Sequence, residues 1–531
     1  MSPILKTAAF AVSLACLACS AARCQTPDQL FASGQFEQAR QGYAAEAQAA
    51  PADAAAQAGL VRSLLRLDHW EDAIPAAQAF ARKFPDNADA HGLLALALIR
   101  AGWQPPYADE AQKSLALNPQ DYWGLVASGR AADWDGHVED ARTLFRKASA
   151  LHPEWPDAWL GLLGTLDDDK DAAEKAAVTT KYLALNPQGQ PYDRVNEGLR
   201  DFQANSGVYR HNFDADPPFQ QIAGKSQTDE KNNEKIAATL KVDFVGDWAI
   251  FPITVNDQRF RLLFDTGAGD LLLTPNAAKR LKLPTLAHSY IRGVNGREPT
   301  AVLKASTMAL GDLRYRSIPI RTMGLSPGGS DGLLGGSTLD DCVITLDYAG
   351  GTATLSPGKT AAAPPPLPGD QVAALPFRVY QDRLFLSVWV NNRPAWAMLD
   401  TGAQQTMLSL RFAMEQLKGV PKDDYHTGTF RGQSGIGETD QRTNYVYSRD
   451  QSTITLSDQP PISVQTDTLG ESSLDRDVSP GYDFEIGLLL GASSLTYAQR
   501  VTFDYPHKQM IFEYANPDLL PKTDTQKTKK K

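Results

Sequence analysis

Small and bulky residues recur along the first third of the chain between evenly placed prolines. Pro51, Pro85, Pro119, Pro153 and Pro187 each follow the last by 34 residues. The same period carries Gly34, Gly102 and Gly136, then Ala39, Ala73 and Ala141, and the bulky Phe36 and Trp70. Small residues let two helices approach closely, and proline cannot continue a helix, so each period reads as a helix–turn–helix unit closed by its proline. Residues 27–190 are therefore expected to be helical. Residues 191–238 lose the period and turn polar, as a linker or a loosely docked segment would. From Leu240 the pattern becomes short β-type runs separated by Gly, Pro, Asn and Asp.

A second repeat, of 135 residues, lies inside that β half. Val255–Ala268 (VNDQRFRLLFDTGA) parallels Val390–Ala403 (VNNRPAWAMLDTGA). Each copy offers a strand, an Asn-containing hairpin turn, an apolar strand and then Asp-Thr-Gly-Ala. Further on, Gly332–Ser337 parallels Leu488–Ser493, and Val343–Tyr348 parallels Arg500–Tyr505. Matched landmarks in one order predict two equivalent lobes, 239–357 and 376–516. Between them the proline-rich 358–375 reads as a stiff linker, and the lysine-rich 517–531 as a polar tail.

Composition changes the picture little. The chain has 531 residues, 42% apolar and 21% charged, which suits several globular domains. Its net charge of −10 argues against a nucleic-acid partner for the whole chain. Residues 1–22 carry Lys6, an apolar run Ala8–Ala18 and the small Ser20-Ala21-Ala22, the order of a secretory signal peptide. Three of the four cysteines (Cys16, Cys19, Cys24) crowd this end, and neither Cys16 nor Cys19 has the leucine usual three residues before a lipidated cysteine. No later stretch has the length of a membrane-spanning helix. An exported protein, periplasmic or secreted, is expected.

The 34-residue period resembles the tetratricopeptide (TPR) repeat, although Tyr107 and Lys175 stand where alanine is expected. That resemblance implies a partner-binding solenoid. The duplicated Asp-Thr-Gly-Ala resembles the aspartic protease clan, with pepsin-like two-lobe connectivity and a retropepsin-like signature and lobe size. The expected architecture is thus an all-α TPR solenoid followed by an all-β bilobal aspartic protease fold. By this resemblance Asp265 and Asp400 are the catalytic pair, holding one water between them and cleaving a polypeptide without a cofactor or metal. Two adjacent carboxylates cannot both ionise cheaply, so they share a proton. The resemblance also implies that Thr266 and Thr401 bond across the interface. Gly267 and Gly402 leave backbone N–H groups near the carboxylates, where a Cβ would obstruct. Ala268 and Ala403 offer the aspartates no hydroxyl, which should raise the pair's pKa and give a milder optimum than pepsin's.

Leu333-Leu334-Gly335 and Leu489-Leu490-Gly491 match the segment that threads beneath each catalytic turn in this clan. Gly293 and Gly296, and Gly432 and Gly435, lie where a mobile flap is expected; plain glycine-rich hairpins are the other reading, and Tyr290 is the candidate flap tyrosine. Two Gly-x-Ser-x-Gly patterns, at 324–328 and 328–332, lack the strand–turn–helix context of a hydrolase nucleophile. The eight histidines are scattered without metal-ligand spacing. Cys342 reads as a small buried apolar residue, and Asp467–Asp483 as a solvated loop. The competing reading is a non-catalytic TPR and protease-like scaffold that grips extended peptides in the cell envelope.

Overall fold

The computed structural model describes residues 25–514, apart from 68, 101–104, 135–136, 167–170, 189–194, 197–198, 201–202, 204–219, 222–236, 294–295, 359, 381, 419, 432–441, 459–460, 472–473 and 475–485. The expected signal peptide (1–22) with Cys16, Cys19 and Cys24, the tail 517–531, Gly102, Gly136, Gly432 and Gly435 lie outside the described residues.

Helices fill the first third: α1 (Pro27–Ala32), α2 (Phe36–Ala49), α3 (Ala54–Arg66), α4 (Trp70–Lys83), α5 (Ala88–Arg100), α6 (Pro105–Leu117), α7 (Tyr122–Trp134), α8 (Val138–Leu151), α9 (Pro156–Thr165) and α10 (Ala172–Ala184). Pro51, Pro85, Pro119, Pro153 and Pro187 fall in the turns after the even-numbered helices. Local chemistry starts the helices. Thr26 and Gln29 form a capping box on α1, and the Asp53 carboxylate accepts the Ala55 and Ala56 N–H groups of α3 at 2.9 and 3.3 Å. Ala39, Ala73 and Ala141 are fully buried where paired helices cross. At the same register Tyr107 is buried edge-on against Trp134, and Lys175 donates to the Leu166 carbonyl at 3.0 Å. The array curls tightly enough for Arg66 of α3 to pair with Asp157 of α9 at 2.9 Å. Val195 and Leu199 pack on this array and Asn196 donates to Pro187 O at 2.8 Å, so part of 191–238 is docked.

The rest is mostly β-sheet, and its two halves repeat one plan. In each, a hairpin ends in an aspartate, and a short apolar strand runs parallel to the hairpin's second strand. Gln258–Asp265 pairs in parallel with Gly332–Gly335, and Arg393–Asp400 with Leu488–Gly491. The hairpin turns use Asn256-Asp257 and Asn391-Asn392, all at positive φ, the geometry that matches strand twist. Short helices Pro275–Leu281 and Leu410–Gln416, capped by Thr274 and Ser409, occupy equivalent places.

The halves share one sheet. Cys342–Asp347 and Arg500–Asp504 pair antiparallel, and the hydroxyls of Thr345 and Thr502 meet at 2.8 Å. Because these strands are equivalent in sequence, an approximate two-fold axis runs through that pair. The linker expected over 358–375 is shorter than the sequence suggested. Gln371–Pro376 already pair with Gln509–Tyr514, supplying partners for backbone that would otherwise form an open edge. Likewise residues 467–471, expected in a loop, finish the strand Pro461–Glu471 because its backbone pairs with Arg442–Asp458. Among the described residues no helix is long and apolar enough to cross a membrane.

One face breaks the two-fold plan. Alternation along Arg393–Asp400 sends Ala395, Ala397 and Leu399 into the β core, while Trp396 and Met398 join the helical core. Phe385 and Leu489, beside Met398 on the adjoining strands, lie on the same outward face. Trp396 meets Trp134 of α7 edge-on with ring centroids 5.3 Å apart, and Arg378 donates to the Trp134 carbonyl. In the first half the equivalent Leu263 and Leu333 are covered instead by Ile291 and Met323.

Candidate functional site

Asp265 and Asp400 end their strands at the junction of the two halves, each opposite a glycine of the parallel strand: Gly335 for Asp265, Gly491 for Asp400. Those glycines allow close crossing of chains. A Cβ at Gly335 would stand 2.7 Å from the Gly269 carbonyl carbon, and one at Gly491 would stand 2.5 Å from that of Gln405. The segments 333–335 and 489–491 thus thread beneath the two turns.

Four hydrogen bonds lock the turns together. Thr266 N–H donates to Thr401 Oγ1 at 3.0 Å, and Thr401 N–H to Thr266 Oγ1 at 3.1 Å. Each hydroxyl then donates to the opposite strand, Thr266 to Leu399 O at 2.9 Å and Thr401 to Phe264 O at 2.7 Å. Both threonines are buried, so every donor and acceptor of this cross-bracing is satisfied away from water.

The brace brings the two carboxyls within hydrogen-bonding reach of each other. Gly267 N–H donates to Asp265 Oδ1 at 2.8 Å, and Gly402 N–H to Asp400 Oδ1 at 2.9 Å. Both glycines have a further role that the sequence did not suggest. A Cβ at Gly267 would lie 2.5 Å from Asp400 Cγ, and one at Gly402 would overlap the Asp265 carboxyl. Each glycine therefore leaves the space in which the opposite half's aspartate sits.

The surroundings of the two carboxyls differ. Ala268 N–H and Ala403 N–H each reach the backbone carbonyl of their own half's aspartate at 3.2 Å, and Ala403 N–H also donates to Asp400 Oδ1 at 3.0 Å. Alanine at 403 lacks a hydroxyl, yet its backbone still supports the charge. Burial, then the neighbouring Asp400, pushes the Asp265 carboxyl well above the usual carboxylate range. Burial also raises Asp400, opposed by the bond from Asp265 and by the Ala403 and Gly402 N–H groups. Burial thus raises both carboxyls, and one proton is shared by the pair.

A cation stands near the pair. Arg383, at the start of the strand Arg383–Val390, lowers both carboxyls through its charge, and its guanidinium would lie 3.1 Å from a Cβ at Gly269. Nothing in the sequence marks Arg383, which follows a turn bearing no motif. Gly293 and Gly296 face each other at the end of the hairpin formed by Ala287–Gly293 and Gly296–Leu310. Tyr290 on that hairpin is half exposed, and its carbonyl accepts from Arg321. Cys342 is buried against the Tyr315 hydroxyl at 3.3 Å, and burial raises its thiol pKa, so it is no nucleophile at neutral pH.

An aspartyl protease family model matches residues 251–338, a segment that contains Asp265 but not Asp400. No curated protein matches the chain. Solved structures similar to it include a thermophilic TPR protein of Thermus thermophilus, 20% identical, covering 34% of this chain and 95% of its own, with a TM-score of 0.28. Another is MamA, 19% identical, covering 30% of this chain and 87% of its own, with a TM-score of 0.22.

Proposed function

We propose that this protein is an aspartic-type endopeptidase in which Asp265 and Asp400 act as one dyad and the helical array is a TPR solenoid that recruits a substrate or partner. The two β halves serve as its lobes, with Thr266, Gly267, Ala268, Thr401, Gly402 and Ala403 supporting the catalytic turns. Gly293 and Gly296 form the tip of a flap. The amino-terminal segment directs the chain out of the cytoplasm, to the periplasm or beyond.

The observation that carries this reading is the reciprocal set of Thr266 and Thr401 bonds holding a buried and a partly buried carboxyl bonded to each other. A structural turn needs no second acid brought against the first in a buried site, since pairing like groups there costs stability. In the reaction, the ionised member of the Asp265–Asp400 pair takes a proton from water as its oxygen attacks the peptide carbonyl. The protonated member donates its hydrogen bond to the carbonyl oxygen that gains charge. Collapse of the tetrahedral species breaks the C–N bond while the proton taken from water passes from the pair to the departing nitrogen. The products are a carboxylic acid and an amine, and no covalent enzyme intermediate forms.

The test incubates the protein, Asp265→Asn and Asp400→Asn with a diverse peptide mixture between about pH 3 and pH 8, with cut sites read by mass spectrometry. Cleavage that disappears in both variants supports the dyad. Absence of cleavage by the folded protein at every pH would refute it.

A further inference from the structure

The helical array holds a pocket of its own, remote in sequence from the aspartates. It is lined by the odd-numbered helices alone and opens to solvent. The 34-residue period builds it. Arg62, Leu96 and Arg130 stand at one register, Arg66 and Arg100 at a second, and Leu65 and Ile99 at a third. The inward face of successive helices thus repeats guanidinium and aliphatic positions, and four arginines converge with one lining carboxylate, Asp157, which Arg66 engages in two-pronged fashion at 2.9 and 3.1 Å.

Arg62 is the odd member. Its guanidinium lies 4.6 Å from the Phe31 ring centroid, 4.8 Å from that of Trp155 and 5.4 Å from that of Trp123. Aromatic faces hold the cation in place and orient its plane. Its Nε is buried and has no hydrogen-bond partner among the described residues. Asp157 and Asp28 are near enough to be felt, but burial and the neighbouring Arg66 outweigh them and push the Arg62 pKa down. A planar, oriented guanidinium with one shielded, unpartnered N–H, beside other arginines, is stabilised by an anion with two acceptor oxygens. The aliphatic wall of Leu65, Leu96 and Ile99 then favours an anion with an apolar body over a fully hydrated one.

We infer that this pocket binds a carboxylate attached to a short apolar group, with Arg62 and Arg130 contacting the carboxylate and Leu65, Leu96 and Ile99 the apolar part. A free aliphatic acid and the apolar carboxy-terminal residue of a polypeptide present the same chemistry, and the experiment separates them. This site is independent of the proposed dyad, so loss of cleavage leaves it untouched.

The full-length protein is titrated calorimetrically with hexanoate, with acetyl-Ala-Ala-Leu bearing a free carboxylate, with the amide of that peptide, and with inorganic phosphate. One-site binding of a free carboxylate is expected, weakened at least about tenfold in Arg62→Met and in Arg130→Met. Arg62→Lys keeps charge but not the planar fork and should fall between. Tighter binding of the peptide than of hexanoate assigns a polypeptide terminus, and the reverse assigns a free acid. Should the arginine variants fail to fold, protection of Arg62 and Arg130 from phenylglyoxal in the unaltered protein reads the same contact. Equal binding of the amide, preference for phosphate, unchanged affinity in folded variants, or no protection would each overturn the proposal.

Discussion

The backbone of Gly267 faces Asp400 so closely that a single added methyl at Gly267 would stand 2.5 Å from the carboxyl carbon. Gly402 and Asp265 repeat the relationship, so each half's glycine sets the position of the other half's acid. Gly267→Ala and Gly402→Ala should therefore displace the opposite carboxyl while leaving its chemistry intact. A misplacement near 1 Å costs about 100-fold in rate. Peptide cleavage by each variant is expected to fall by about that factor, measured as kcat/KM against a peptide the unaltered protein cuts.

Thr401→Val removes one hydroxyl and orphans two groups, the Thr266 N–H and the Phe264 carbonyl. Leaving two buried polar groups unpaired costs roughly 2–5 kcal/mol, and Thr266→Val should cost the same by symmetry. Thr401→Ser keeps both bonds and should recover most of the loss. Urea denaturation of the three variants reads the difference directly.

Arg383 lowers both aspartates by its charge. Arg383→Gln should accordingly raise the pH at which the dyad gives up its shared proton, moving the alkaline limb of the pH–rate profile upward. Since Asp265 lies well above the usual carboxylate range, the unaltered profile is expected to reach beyond strongly acidic pH. An unmoved alkaline limb would show that Arg383 does not act on the pair.

The helical array carries its own acid. Asp121, bonded to Gly124 N–H at 2.6 Å and to the Ser114 hydroxyl at 2.8 Å, is raised to about 7 by burial and then by the side chain of Asp89. Its proton is held more tightly in the folded state, so the stability it adds is complete below the unfolded value near 3.8 and is lost as pH rises through about 7. Asp121→Asn should flatten that dependence. Melting of the two proteins followed by circular dichroism at about pH 4.5 and about pH 7.5 compares them across the window.

The repeats were legible because each demands a residue that the backbone cannot do without. A turn after every second helix took a proline, and each close approach of an aspartate took a glycine. The Asp-Thr-Gly copies were equally plain, since strand, turn and threonine must recur together for the brace to close. What stayed hidden depends on contacts between distant segments. Trp396 and Met398 look like any apolar strand positions until the helices are seen to cover them. Arg383 has no motif, and the shared sheet of 342–347 with 500–504 shows in sequence only as a second similarity. The arginines at 62, 66, 100 and 130 did keep the repeat period, and that signal was present but unread.

Trp396 lies on the strand that ends at Asp400, packed against Trp134 of the helices. The two regions therefore do not divide into interchangeable modules. Cutting the chain after the helices would uncover Phe385, Trp396, Met398 and Leu489 together, an apolar patch on the back of the aspartate-bearing strand. Such a fragment should aggregate or lose that strand's order, even with every residue of the dyad present. A fusion that grafts a different helical array onto the β halves would have to rebuild this seam as well as the connecting chain. For this protein, the helical array is also part of the wall.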